Sequence, residues 1–473
     1  MISFRGFFCI VFLFGLFGCS QWAKNASKID YYVSNGNLNE AYTLLTTHEE
    51  KWEKNKRNLL LYYFNRATLA WMLGKTDESI TYFKKADFFI EDLQRNYGAE
   101  ALSLIFNDRV IPYPGEDYER LLLHFYQIIN FMQKDDFESA EVQARRLILD
   151  LQKLDDKFKD QPDSLKKERY QRDGFAKNLL GMVFDARKDY NNAFIAYRNS
   201  YDAYARDIAK NNIPSIPYQL KEDIIRTAYL SGLKEEQSYF ERQFGLKYNS
   251  AMLGKNMVFF WLNGLGPVKD QQRTDFIIFN EGNGWISFRN AQRGWIIPVY
   301  TGNNTDNQGL ASLRTLSISL PILRERLPLF DKAEIKVGNT SYPLETAQNV
   351  NALAFRVLDE KYLSILGKTL LRIATKKLAE AQLRKENPEA AAATSVLNMI
   401  TEQADTRNWR SLPFSIQYSR FKLDETQPEV ELRTSSSAYK TTESLKFRFN
   451  IKNGKTLFHA YHSLNSLPNP YMY

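Results

Sequence analysis

Residues 180–197 read Leu-Gly-Met-Val-Phe-Asp-Ala-Arg-Lys-Asp-Tyr-Asn-Asn-Ala-Phe-Ile-Ala-Tyr. Apolar side chains recur at three- and four-residue intervals on both sides of the polar break Arg187-Lys188-Asp189, so the stretch predicts two helices joined by a tight turn. Gly181 and Ala193 have almost no side chain, which lets two antiparallel helices approach closely. Phe184 and Tyr197, one turn on in each helix, fill the space beside that contact.

Three earlier breaks share the pattern. Ser34-Asn35-Gly36-Asn37 precedes Ala41, Leu73-Gly74-Lys75-Thr76 precedes Ser79, and Gln133-Lys134-Asp135-Asp136 precedes Ala140. With Leu180, Gly181, Tyr190, Ala193 and Tyr197 in register, the region resembles tetratricopeptide repeats. Their period is ~34 residues. The spacing here is irregular, so inserted turns or helices are expected. The resemblance implies an all-α array of helix pairs over residues 19–245, with Gly74, Ser79, Ala140, Gly181, Ala193 and Tyr197 at packing positions. Such arrays stack on their neighbours and leave a concave surface free for a protein or peptide.

At the N-terminus, Arg5 precedes the apolar run Phe7–Phe17. That run is shorter than the roughly 20 residues a spanning helix needs, and fits the apolar region of a secretory signal. It ends Leu16-Phe17-Gly18-Cys19, which resembles the lipobox of bacterial lipoproteins. The resemblance implies removal of residues 1–18 and lipidation of Cys19. Cys9 and Cys19 are the only two cysteines, so a chain starting at Cys19 has no disulfide partner. Ser20, where an Asp would favour inner-membrane retention, points to the periplasmic face of the outer membrane.

The 473 residues carry a formal charge of +8, with 25% charged and 44% apolar residues. Lysines and acids are interspersed without a basic block, which argues against a nucleic-acid partner. The aromatic share of 14% is high.

After a linker over residues 246–256 the periodicity changes. Met257–Leu262 is a continuous apolar run expected as a buried strand. Phe276–Phe279 and Trp285–Phe288 flank a Gly-Asn-Gly hairpin turn. Further strands are expected at Trp295–Val299, at Leu316–Leu320 ending at Pro321, and at Ala333–Val337 paired with Ser341–Leu344. Two helices, Asn349–Leu358 and Lys361–Lys385, and a third over Ala390–Ala404 follow. Strands return at Phe414–Leu423, Glu429–Arg433, Leu445–Ile451 and Thr456–Ala460, the last two joined as a hairpin at Asn453-Gly454. Residues 257–473 thus form a mixed antiparallel sheet and helix domain, and the chain is α+β.

Three segments carry a further resemblance: Tyr118-Glu119-Arg120-Leu121-Leu122-Leu123-His124, Asn263-Gly264-Leu265-Gly266-Pro267-Val268-Lys269, and Ala404-Asp405-Thr406-Arg407-Asn408-Trp409-Arg410-Ser411-Leu412-Pro413. Together they resemble a family of uncharacterised bacterial lipoproteins of similar length. That family implies location, with a hint of cell-wall or outer-membrane assembly, but no activity.

Reaction motifs are missing. His459-x-x-His462 lies on an expected strand, where that spacing turns the rings to opposite faces, so no metal site is expected. Gly264-Leu265-Gly266 lacks the third glycine of a dinucleotide loop, and no cofactor is expected. The best candidate site is Asp405, Arg407, Trp409 and Arg410. Two arginines beside a tryptophan suit an acidic or sugar ligand. The reading set against it, and preferred, is an Asp405–Arg407 turn that fixes the helix-to-strand corner with Trp409 as a plug between domains, since burial usually explains an isolated Trp. The sequence therefore describes a membrane-tethered, non-enzymatic scaffold for a periplasmic protein or peptide. A glycan-binding lipoprotein is the alternative, and a cell-envelope hydrolase a more distant one.

Overall fold

The computed structural model describes residues 24–96, 111–156, 173–207, 215–250, 254–300, 315–386, 403–424, 428–451 and 455–467. Helices α1 (residues 24–34), α2 (Leu38–Thr47), α3 (Glu49–Lys54), α4 (Leu59–Met72), α5 (Thr76–Asn96), α6 (Asp117–Gln133), α7 (Phe137–Asp156), α8 (Gly174–Ala186), α9 (Tyr190–Asp207), α10 (Tyr218–Leu230) and α11 (Lys234–Phe244) come first.

Five turns join them in pairs, and all five use the same hydrogen bonds. Gly36, Gly74, Asp135, Lys188 and Gly232 each have positive φ. The amide of the next residue returns to a carbonyl five positions back: Asn37 to Tyr32, Lys75 to Ala70, Asp136 to Phe131, Asp189 to Phe184 and Leu233 to Ala228. This left-handed exit satisfies the last carbonyls of the first helix. The amides of Ala41, Ser79, Ala140 and Ala193 then start the second helix, and all four side chains are fully buried. The fifth turn escapes a sequence reading because Gln237 stands where the other four have Ala or Ser. Gly74 is required by its φ of 72° and not by close packing, since a Cβ there would meet nothing within 4 Å. Gly181 is the opposite case: a Cβ would lie 2.5 Å from the Tyr197 ring.

The strands are β1 (Asn256–Asn263), β2 (Val268–Gly282), β3 (Trp285–Asn290), β4 (Trp295–Tyr300), β5 (Thr315–Arg324), β6 (Lys332–Val337), β7 (Thr340–Pro343), β8 (Glu345–Asn349), β9 (Ser415–Lys422), β10 (Glu429–Ser436), β11 (Thr441–Arg448) and β12 (Thr456–Ser463), with helix α12 (Val350–Glu386) between β8 and β9. They form three sheets, ordered β12-β1-β9-β8, β11-β10-β6-β7 and β4-β3-β2-β5. The chain is α+β.

Three sequence expectations about elements change. The helices expected at 349–358 and 361–385 are one, because Asp359-Glu360 contains nothing to break it. The strand expected to stop at Pro321 continues to Arg324; β5 is an edge strand, where a missing N–H need cost no ladder bond. Asn453-Gly454 lies outside the described residues, and the strands on either side of it do not pair as the expected hairpin. Instead β11 pairs with β10 while β12 pairs in parallel with β1, in another sheet. The expected helix Ala390–Ala404 lies outside the described residues up to 402, and Ala404 is not helical.

A fourth change bears on function. Strand β1 is buried at every position. Val258, Phe260 and Leu262 join the core of the helical array, while Met257, Phe259 and Trp261 join the core of the second sheet. Alternation along one strand thus seals two layers. Helix α6 shows the consequence, since all of its residues except Arg120 and Gln133 are buried. A helix buried all round has neighbours on every side. The chain's own central sheet covers one face of the helical array. The third sheet packs Phe276, Ile278, Ile286 and Phe288 on Leu366, Leu370 and Ile373 of α12.

Candidate functional site

The segment 403–411 runs between the helical array and the sheets. Asp405 and Arg407 form a bidentate pair, with Nε and Nη2 donating to the two carboxylate oxygens at 2.8 Å each. Arg407 Nη1 also donates to the carbonyls of Arg57 (2.9 Å) and Ile111 (3.1 Å), and its guanidinium lies 5.2 Å from the Tyr113 ring. Burial opposes ionisation of Asp405, but Arg407 still holds it below the usual carboxylate range. Trp409 is buried against the helices, stacked on Phe64 at 4.1 Å between centroids and 10° between planes. Its indole N–H donates to Ser411 at 2.9 Å and Thr68 at 3.2 Å. Asp405, Arg407 and Trp409 therefore brace the corner.

Behind them lies a buried acid that the sequence reading passed over. Glu119 accepts from the amides of Trp409 (2.6 Å) and Glu116 (3.0 Å) and from the Tyr113 hydroxyl (2.8 Å). Burial, with Glu116 nearby, pushes its carboxyl up to about 7. Glu116 is held low, against burial, by Lys269 and Lys361. The Glu116-x-x-Glu119 capping box of α6 was the available signal. Glu119 is sealed from solvent, and the bond it accepts from the Trp409 amide ties the corner to α6.

Arg410 behaves differently. Its side chain is 24% exposed and its nearest carboxylate, Asp30, is 3.8 Å away. Asp30 chiefly serves the buried Arg326, whose Nη1 donates to it at 2.9 Å while Nε donates to the Gly266 carbonyl at 2.6 Å. Arg326 Nη2 also donates to the Arg410 carbonyl. Burial, reinforced by Arg410, pushes Arg326 below the ordinary guanidinium value despite Asp30. Between α1, the start of α4 and this segment opens a cavity of about 270 Å³, lined by polar residues including Arg57, Asn58, Asn65 and Arg410 and by apolar Ile29, Val33 and Leu61.

A second charge cluster joins the two halves. Arg420 of β9 pairs with Asp185 of α8 at 2.8 Å and with Asp223 of α10 at 3.1 Å. Arg226 bonds Asp185 at 3.0 Å and Asp223 at 2.7 Å. All four side chains are buried. Nearby, the Glu345 carboxylate accepts from the amides of Tyr218 and Gln219 at the N-terminus of α10 (3.0 and 3.2 Å), a favourable place for negative charge.

His459 and His462 turn to opposite faces of β12. Nε2 of His462 bonds the Gly264 carbonyl at 2.6 Å, while His459 packs beside Phe259, Phe447 and Phe449. Burial pushes both down to about 4. No group of three or more metal-ligating side chains gathers among the described residues, and none of their helices is long and apolar enough to cross a membrane. Cys19 lies outside the described residues.

No family model matches the chain, and no curated protein matches it in sequence. Similar solved structures include TPR-like repeats of a Podosopora anserina kinesin light chain, at 12% identity and a TM-score of 0.31, covering 48% of this chain and 93% of that one. A singly substituted form of the same repeats gives 13% identity, a TM-score of 0.32 and the same coverage. The lipoprotein family that the sequence resembles finds no support in these comparisons.

Proposed function

We propose that the chain is a non-enzymatic, protein-binding scaffold of the bacterial cell envelope, tethered through Cys19, with tetratricopeptide-type helix pairs serving as the cradle for its own sheets. The tether rests on the Leu16-Phe17-Gly18-Cys19 motif, and an outer-membrane location on Ser20. The partner surface is then the outer face of the third sheet. Register places Ile277, Phe279, Trp285, Ile296 and Tyr300 together on that face, and each is more than two-fifths exposed. The Arg289 guanidinium sits 4.2 Å from the Phe279 ring, and the Trp285 and Tyr300 rings are 5.1 Å apart. A contiguous exposed apolar patch marks an interaction surface, and Trp, Tyr and Arg dominate protein-binding hot spots. This patch is the observation that carries the reading.

The test is photocrosslinking in native membranes from a reactive residue at Ile296, beside a control at exposed Lys51. A discrete protein adduct from 296 alone, lost when Trp285→Ser is added, supports the scaffold. The same rings offer an apolar platform for a pyranose face, which favours glycan binding as the second reading. A glycan adduct at 296 without a protein adduct would replace the first reading with the second.

A further inference from the structure

The cavity beside residues 403–411 holds more positive charge than its walls neutralise. Asp405 is fully engaged by Arg407, and Asp30 is shared between Arg326 and the more distant Arg410. Arg57, half-buried on the same wall, has no partner for its guanidinium among the described residues. Asn58 is 3% exposed, lines the cavity, and its side-chain amide likewise has no partner among the described residues. Asn58 is also the N-cap of α4, and its side chain makes no cap hydrogen bond to that helix. Its first amides therefore add partial positive charge at the same wall. The Asn58 amide, the Arg57 guanidinium and the start of α4 all border one space. Polar groups placed this way bond to water or to a ligand that displaces it.

We propose that this cavity binds the carboxylate of a small ligand with an aliphatic stem, held by Arg57, Arg410 and Asn58. Two guanidiniums present donors in the geometry that carboxylates accept. A carboxylate fits better than phosphate because Asp30 and Asp405 lie at the same walls and would repel a second negative charge. Ile29, Val33 and Leu61 supply an apolar side for the stem. About 270 Å³ is small for a ligand pocket, so it admits one residue-sized group: a free organic acid or the terminal residue of a peptide. The site is separate from the exposed sheet face and stands or falls without it.

The experiment uses the full chain in detergent micelles and titrates N-acetyl-leucine, N-acetyl-leucinamide, inorganic phosphate and the peptide acetyl-Ala-Ala-Leu by calorimetry. Saturable binding of N-acetyl-leucine or the peptide is expected, with the amide at least about tenfold weaker, as loss of a charge-assisted contact requires. A peptide that binds more tightly than N-acetyl-leucine identifies a chain end as the source; equal affinity identifies a free acid. Arg57→Gln and Arg410→Gln should each weaken binding roughly tenfold or more while the melting temperature stays put. Because neither side chain has a close partner among the described residues, failure to fold is not expected. Asn58→Ala provides a third, independent variant. The proposal is overturned if no carboxylate probe saturates, if the amide or phosphate binds as well as the acid, or if both arginine variants retain full affinity.

Discussion

Arg420 and Arg326 are both buried guanidiniums that tie the sheet half to the helices, and their surroundings push them in opposite directions. Against the cost of burial, Asp223 and Asp185 hold Arg420 above its ordinary value. Arg326 falls below its own, because burial is joined by the like charge of Arg410 and only Asp30 opposes it. Around Arg420 two arginines face two aspartates and the charge closes. At the corner, arginines outnumber carboxylates and a cavity stands open beside them. A balanced buried cluster can fix how two halves meet. An unbalanced one that touches a cavity is poised for an anion.

Substituting the same residue type at both places breaks this comparison most directly. Arg420→Gln leaves Asp185 and Asp223 with Arg226 alone, so one buried negative charge loses its partner. Breaking a buried pair in this way costs about 3–5 kcal/mol. The urea midpoint should fall steeply, provided the variant still folds. A midpoint close to wild type would show that the cluster contributes nothing to the junction.

These clusters also show where sequence reading stops. Four of the five helix turns were readable because their chemistry is local: Gly36-Asn37 or Asp135-Asp136 specifies its own geometry within a few residues. Strand β1 was readable because six of its eight buried positions, Met257–Leu262, form a continuous apolar run. Strand β12 was found but given the wrong partner, since Asn453-Gly454 signals a hairpin and nothing nearby signals parallel pairing with a strand far upstream. Arg326 and Asp30 are 296 residues apart, and Arg420 and Asp185 are 235 apart. Single charged residues carry no period, so no pattern announces such pairs. At the corner, Asp405, Arg407, Trp409 and Arg410 stood out as a group, but their division into brace and cavity wall depends on Glu119, Arg57 and Asp30, each on another element.

The next effect is a pH slope at the corner. Glu119, pushed up to about 7 in the folded chain from an ordinary value of 4.5, binds protons more tightly folded than unfolded. Its contribution favours the folded state most below about pH 4.5 and is lost as pH rises to about 7, a change of a few kcal/mol at most. Glu222, also pushed up to about 7 by burial, Asp223 and Glu345, adds a smaller slope of the same sign because it is more exposed. Glu119→Gln should flatten stability between about pH 4.5 and 7, whatever it does to the absolute value. Urea midpoints across that range measure it. An unchanged slope would place the titration elsewhere.

Trp409→Phe is smaller still. A phenyl ring keeps the stack on Phe64 but removes the indole N–H, leaving the Thr68 and Ser411 hydroxyls without that donor. With some lost volume, the expected cost is about 1–2 kcal/mol, read as a shift of the urea midpoint. A loss as large as that of Arg420→Gln would mean that Trp409 organises the junction and does more than fill it.

Arg410→Gln completes the comparison at its small end. Among the described residues the Arg410 side chain has no carboxylate closer than 3.8 Å, and its backbone carbonyl, which accepts from Arg326, survives the change. Removing its charge relieves Arg326 of a like neighbour and leaves Asp30 to a single arginine. Those gains offset the loss of a long ion pair, so stability should stay within about 0.5 kcal/mol of wild type, and a slight increase fits the repulsion. A cost comparable with that of Arg420→Gln would show that Arg410 belongs to the brace, and the excess charge at the cavity would then be a structural joint with no ligand to attract.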